Sequence, residues 1–312
     1  MNAMKLTSSA PSLKYQPLDR SSAPAWRHPD HVVLEVCVED IEGVRIAARE
    51  GADRVELGDN LTASGTTSSI GTIEAAIFAA AEQVEERRAL AGPHWMRTSA
   101  AAPFGLRVLI RPRGGCFVYD ADEGRAMIAD VRRIAALARE MSEFTRPQIT
   151  GGGAFLPPAV ELGFVIGALT PDGAVDRGLV RLLMGMAEGA PVTFHRAFDD
   201  TRDPVEIYGD LGGLGLDYVL TSGGAATAAQ GAQVIAGLAG AGGPTVIAAG
   251  GIRPDSISAL VESTGVREVH MRLAKEGLQP GEPQRTDPAQ VRRAVEVTRA
   301  LTPPAAAGQE GR

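Results

Sequence analysis

From His31 onward, short β-branched runs alternate with Ala-rich amphipathic stretches, and the pair recurs eight times. A strand and a helix repeating every ~25 to 45 residues is the rhythm of βα units wound around a parallel sheet. The expected strands are VVLEVCV (Val32 to Val38), DRVELG (Asp53 to Gly58), LRVLIRP (Leu106 to Pro112), GFVIGAL (Gly163 to Leu169), PVTFHRA (Pro191 to Ala197), DYVLTS (Asp217 to Ser222), PTVIAAG (Pro244 to Gly250) and REVHM (Arg267 to Met271). Helices are expected to begin near Asp40, Ile70, Asp122, Asp176, Asp203, Ala225, Asp255 and Asp287, several with Asp as the N-cap, and to stop at Gly51, Gly189, Gly212 and Gly265. Eight units in about 270 residues predict one closed TIM-type (β/α)8 barrel over residues 31–302, with flexible tails at 1–30 and 303–312. An open dinucleotide-binding sheet would place a Gly-rich turn after the first strand, and VCVED has none. Two Pro/Gly-rich insertions, Ala91 to Phe104 and Met141 to Pro158, precede the third and fourth strands and are expected on the αβ side, suited to decoration or oligomerisation.

Composition narrows the function. Lys+Arg 31 against Asp+Glu 38 gives a net charge of −7, and no basic run is long enough for nucleic acid. Two cysteines, Cys37 and Cys116, make no disulfide scaffold and suggest a reducing compartment. The first thirty residues are polar and Ser/Pro-rich, without the apolar core of a signal peptide, and no apolar run is long enough to cross a membrane. A cytoplasmic protein is expected, self-associating as a homo-oligomer through its helical exterior.

Barrel strands are covered on both faces and should read as nearly continuous apolar runs, so charges within them call for an explanation. Glu35 lies in the first expected strand and Glu56 in the second; Arg111 and Arg113 close the third, His195 with Arg196 ends the fifth, and His270 with Arg272 ends the eighth. Thr221 and Ser222 finish the sixth with hydroxyls. Side chains two apart share a strand face, which pairs Glu35 with Cys37, Thr193 with His195 and, if the strand runs through Pro112, Arg111 with Arg113. Pointing into the mouth costs these groups less than meeting apolar helices unpaired. Two readings follow: a structural ion-pair network that sets strand register, or a polar pocket at the C-terminal face where barrel enzymes place their sites.

In the second reading Glu35, Glu56 and His195 are the candidate acid–base groups, with packing or metal ligation as other roles for His195. Arg111, Arg113, Ser222 and His270 are candidate ligand contacts, since paired guanidinium groups clamp a carboxylate or phosphate. Gly250 and Gly251, in AAGGIRPDS, would let backbone N–H groups approach an anion, or simply make a tight turn. No G-x-S-x-G, H-E-x-x-H, Walker loop or C-x-x-C occurs.

The strings LEVCVEDIEGVRIAAREGADRVELGDNLTASGTTSSIG (Leu34 to Gly71), LIRPRGGCFVYDADE (Leu109 to Glu123), GFVIGALTPDGAVD (Gly163 to Asp176), VTFHRAFD (Val192 to Asp199), LTSGG (Leu220 to Gly224) and EVH (Glu268 to His270) resemble, in this order, the CutC family, named for copper homeostasis. The resemblance implies a cytoplasmic TIM-type barrel and copper binding, associated in the family with one cysteine in the E-x-C of the first strand and one directly after the E-L of the second. Cys37 matches the first position; Gly58 stands at the second. Where the family has R-P-R-G-G-D-F this chain has RPRGGCF, with Cys116 in the loop after the third strand. Cu(I) favours thiolates, so a copper site here calls for Cys37 and Cys116 to converge at the mouth. The rival expectation is a metal-independent enzyme or binding protein for a small anionic metabolite, phosphorylated or not; a ligand-free interaction scaffold is the third.

Overall fold

The structure, a computed structural model, describes residues 30–149, 155–275 and 285–303. In chain order the strands are β1 (Val33–Val38), β2 (Arg54–Leu57), β3 (Phe104–Leu109), β4 (Gln148–Ile149), β5 (Phe155–Leu156), β6 (Val160–Ile166), β7 (Val192–Phe194), β8 (Tyr218–Thr221), β9 (Thr245–Ala248) and β10 (Glu268–Met271). The helices are α1 (Ile41–Glu50), α2 (Ile70–Leu90), α3 (Ala121–Glu140), α4 (Ser142–Thr145), α5 (Arg177–Met186), α6 (Pro204–Leu214), α7 (Ala232–Ala241), α8 (Ile257–Thr264) and α9 (Pro288–Ala300). Eight strands close in the order β1-β10-β9-β8-β7-β6-β3-β2, all neighbours parallel. This is the expected TIM-type (β/α)8 barrel. The tails assigned to 1–30 and 303–312 lie almost wholly outside the described residues. No helix among the described residues is long and apolar enough to cross a membrane.

Local chemistry sets the element ends. Asp40, Asp176, Asp203 and Asp287 accept N–H bonds from the first turns of α1, α5, α6 and α9, as their Asp-before-helix pattern predicts. For α3 the cap is Asp120, two residues before the expected start, because Glu123 completes a capping box with it. Gly51 and Gly265 end α1 and α8 in the left-handed conformation. Gly212, expected as a stop, is inside α6, whose left-handed cap is Gly215.

Three further expectations are corrected. The third strand ends at Leu109, so Pro112 is not in it and Arg111 and Arg113 belong to the following loop. The fourth barrel strand begins at Val160 and ends at Ile166. It cannot carry a side chain through Gly167, where a Cβ would lie 2.3 Å from the His195 ring. The helix expected near Ala225 begins at Ala232, because the intervening loop is tied to the mouth through Ala228 N–H to Gly250 O (2.9 Å) and Ser222 Oγ to Ala225 O (2.6 Å). The two insertions form 3-10 turns (Gly92–Arg97, Ser99–Ala101) and α4 with the two-stranded β4–β5 sheet.

Alternate residues separate two environments. Leu34, Val36 and Val38 of β1, Val55 and Leu57 of β2, Leu106 and Val108 of β3, Val192 and Phe194 of β7, and Val269 and Met271 of β10 join the main apolar cluster with the helices. Their neighbours therefore face the barrel interior. Leu220, Ile247 and Ala249 do so as a small cluster of their own, while Glu35, Cys37, Arg54, Glu56, Arg107, Thr193, His195, Glu268 and His270 bring polar groups inward.

Candidate functional site at the barrel mouth

The interior polar groups of β1, β2 and β10 are hydrogen-bonded in a chain. Arg54 sits between two carboxylates, donating from Nε to Glu35 and from an NH2 group to Glu268. Its guanidinium also lies 4.9 Å from the Tyr218 ring centroid. The second oxygen of Glu35 meets His270 Nδ1 at 2.7 Å, and Glu56 Oε2 is 3.6 Å from the same nitrogen. Register makes this inevitable: Glu35 is opposite both Arg54 and His270, and Cys37 is opposite Glu56.

Charge states follow from those neighbours. Burial pushes Glu35 up, but Arg54 and His270 together outweigh it and hold its carboxyl at about 2. Glu56 has no guanidinium partner, so burial, helped by Glu35 and opposed by His270, pushes it up to about 7. Burial works against a charged His270, yet its bonds to Cys37 and Glu35 and the field of both glutamates hold it well above the ordinary histidine range. Burial pushes the Cys37 thiol up despite its contact with His270. At neutral pH the group is an imidazolium between an ionised and a half-ionised carboxyl, beside a thiol. Cys37 Sγ, a Glu56 oxygen and a His270 nitrogen all lie within 4.8 Å of one another, the one grouping of three such donors among the described residues.

Above this floor opens a pocket of about 310 Å³. Cys37 and His270 line it together with Arg196, the Gly250–Pro254 loop and Arg272. Gly250 and Gly251, both with positive φ (100° and 68°), are among the residues that line the pocket.

Other expected site residues are occupied elsewhere. Arg111 donates to the carbonyls of Ala63, Ser64, Gly65 and Gly115, stapling the loops after β2 and β3. Arg113 holds both oxygens of Glu123 and the carbonyls of Cys116 and Val118. Ser222 Oγ is bonded to Asp199, Arg196 and the Ala225 carbonyl. Asp199 also accepts from Thr221 Oγ1 and the Ser222 and Gly224 N–H groups, so these residues fix one loop corner.

His195 is 5% exposed and accepts the Ala197 N–H on Nδ1 (3.1 Å), capping the 3-10 turn Arg196–Asp200. Burial and the Arg111 charge lower it to about 3, which keeps the imidazole neutral with its proton on Nε2. Cys116 is exposed, its Sγ 3.9 Å from Arg113 and from the Val118 carbonyl. It is not a member of the Cys37 grouping, which draws its nitrogen and oxygen donors from β10 and β2 instead.

Sequence reasoning passed over Arg54 and Glu268, the countercharges that define the floor, although each was legible as a charge inside an expected strand. It also noted Arg196 and Arg272 at strand ends without assigning them to the pocket.

Comparison with known proteins supplies a frame. The CutC family model matches residues 32–141 and 159–275. A CutC family protein of Caulobacter vibrioides is 34% identical over 285 residues, covering 86% of this chain and 98% of that protein. The human protein named copper homeostasis protein cutC homolog is 33% identical over 240 residues, covering 76% and 72%. Among solved structures, a CutC from Streptococcus agalactiae superposes with a TM-score of 0.59 at 25% identity, covering 77% of this chain and 97% of the other. A Rubisco-like protein from Rhodopseudomonas palustris shares the fold at 14% identity and a TM-score of 0.51, covering 87% and 65%.

Proposed function

This chain belongs to the CutC family, and on that premise we propose that it serves copper homeostasis by holding a single copper ion at the barrel mouth on Cys37, Glu56 and His270. The observation that supports this reading is the convergence of a sulfur, an oxygen and a nitrogen donor within 4.8 Å of one another at the floor of an open pocket. The position after the E-L of β2 is Gly58 and supplies no thiolate; Glu56, two residues earlier and facing inward, supplies a carboxylate. One thiolate, one imidazole and one carboxylate make a mixed set that suits copper or zinc better than magnesium or calcium. Copper is chosen on the name of the human relative.

The donors must first lose protons. Burial keeps the Cys37 thiol protonated and the two glutamates keep His270 charged, so copper uptake rises with pH and releases protons. Titration of the reduced protein with copper, followed by metal analysis after desalting, tests this. One equivalent is expected for the wild type and for Cys116→Ser, with strong loss in Cys37→Ser and His270→Gln. Equal, weak uptake by wild type and Cys37→Ser would sink it.

A second reading is favoured by Glu56, held at about 7 beside a charged imidazole. A carboxyl poised at neutrality exchanges protons readily with a bound molecule, so the same floor serves a metal-free barrel enzyme that moves a proton. Carbon-13 titration of the Glu56 carboxyl in metal-stripped protein tests this second reading: a midpoint near 7 supports the proton-transfer centre, and a midpoint near 4.5 removes it.

A further inference from the structure

The walls of the mouth pocket differ in charge from the protein as a whole. The chain carries −7 overall, yet the side chains lining this pocket include three guanidinium groups, Arg196, Arg253 and Arg272, and, among the described residues, no carboxylate. The three arginines come from three different loops, after β7, β9 and β10. Arg196 spends two of its donors on Asp199 and Ser222, and Arg272 spends one on Glu39, which leaves further donors on each of these two five-donor forks beside the pocket they line. Those bonds also hold the forks in place.

The backbone adds to this. Gly250 and Gly251 both adopt left-handed φ. Among the described residues the Gly250 carbonyl accepts from the Ala228 N–H, and the N–H groups of Gly250, Gly251 and Ile252 make no hydrogen bond. All three residues line the pocket. Glycine is needed there for a second reason: a Cβ on Gly251 would meet Thr227 at 3.0 Å and one on Gly250 would meet Ser222 at 3.0 Å, so the loop packs as close as backbone allows. Successive N–H groups beside guanidinium forks form an anion-binding concavity.

We propose that this wall binds a phosphate group, so that the molecule entering the mouth is a small phosphate monoester. A tetrahedral dianion offers several oxygens in different directions, which matches the Arg196 and Arg272 forks and a run of N–H groups from separate elements, with the charge of Arg253 beside them; a flat carboxylate satisfies only one or two of these donors. The volume, about 310 Å³, admits a small metabolite and no polymer. The site stands apart from the metal reading, because none of Arg196, Arg253, Arg272 or the glycine loop is among the three metal donors.

The test uses the full chain in the presence of a chelator, so that metal binding plays no part. Inorganic phosphate and glycerol 3-phosphate are titrated by calorimetry at constant ionic strength, with acetate, chloride and glycerol as comparisons. Saturable binding of both phosphates, tighter for the monoester, is expected, with none for the other three. Arg253→Gln and Arg272→Gln should each weaken phosphate by about tenfold, and Arg272→Lys should restore part of the loss. Arg202→Gln, which removes an exposed charge outside the pocket, should bind as wild type. The melting temperature of each variant without ligand reports its folding, and Arg253→Gln, at an exposed loop residue, remains informative if Arg272→Gln is destabilised. Absence of phosphate binding overturns the proposal, as does equal binding of phosphate and chloride or undiminished binding by Arg253→Gln and Arg272→Gln.

Discussion

Two imidazoles face the interior of this barrel, and burial alone would make them alike. His270 stands on β10 among Glu35, Glu56 and Cys37, and is held charged. His195 follows β7, packed at a tilt against Phe117 with ring centroids 4.9 Å apart, and burial together with the Arg111 charge lowers it to about 3 and keeps it neutral. Burial disfavours the charged form of both; at His270 the contacts with Cys37, Glu35 and Glu56 overcome it, whereas at His195 the Arg111 charge adds to it. The same division runs through the interior: β1, β2, β3 and β10 carry charged side chains, whereas Leu220 of β8, Ile247 of β9 and Ala249 just after it form an apolar cluster. The Cys37, Glu56 and His270 grouping lies on the first side, and this small apolar cluster on the second.

The most disruptive way to break that contrast is to remove Arg54. Arg54→Met leaves Glu35 and Glu268 buried without their shared countercharge, and a loss of about 3–5 kcal/mol in unfolding free energy is expected by urea denaturation at pH 7.

Acid and base titration come next, with opposite signs for the two glutamates. Glu35 has its folded value at about 2, below the ordinary 4.5, so it contributes about 3 kcal/mol above pH 4.5 that disappears as pH falls through 2. Glu56, raised from 4.5 to about 7, does the reverse: the folded state is penalised by about 3 kcal/mol once pH exceeds 7, and by nothing below 4.5. His270, raised, adds stability below the ordinary histidine range that is lost as pH rises through its folded value. Stability should therefore peak on the acidic side of neutrality, and Glu56→Gln should be more stable than wild type at pH 8, with the gap closing towards pH 4. A Glu56→Gln variant less stable at pH 8 would contradict the assigned charge pattern.

On the neutral side, His195→Ala should cost about 1 kcal/mol for the lost cap together with the packing of the ring on Phe117 and Gly167. Nitrogen-15 spectra sharpen the comparison: His195 should show the neutral Nε2–H tautomer from pH 5 to 8, and His270 both nitrogens protonated. The smallest effect is expected at Cys116→Ser, within about 0.5 kcal/mol of wild type, because the thiol is exposed and holds no partner that packing depends on. Alkylation should find Cys116 well before Cys37, whose thiol burial keeps protonated.

The fold was legible because its signals are local and repeated. Eight apolar runs, Asp caps such as Asp40 and Asp203, and left-handed stops such as Gly51 each report on a few neighbouring residues, and the barrel is the architecture that accommodates eight of them. The site was legible in part. Glu35, Glu56, Cys37 and His270 stood out as polar interruptions in strands, and the structure assembles them. Arg111, Arg113 and Ser222 stood out equally, yet their donors and acceptors are taken up by carbonyls and carboxylates of loops whose paths no local pattern specifies.

What the sequence by itself determined is that eight strands and eight helices form, that alternate strand positions face inward, and that titratable side chains must therefore meet inside. Strand pairing across the closed barrel decided which of them meet. Glu35 and Glu268 are separated by more than two hundred residues, and only the β1–β10 closure and its register put Arg54 between them and His270 beside them. A charge in a buried strand is a local fact; its partner, and hence its protonation and its chemistry, is a property of the closed sheet.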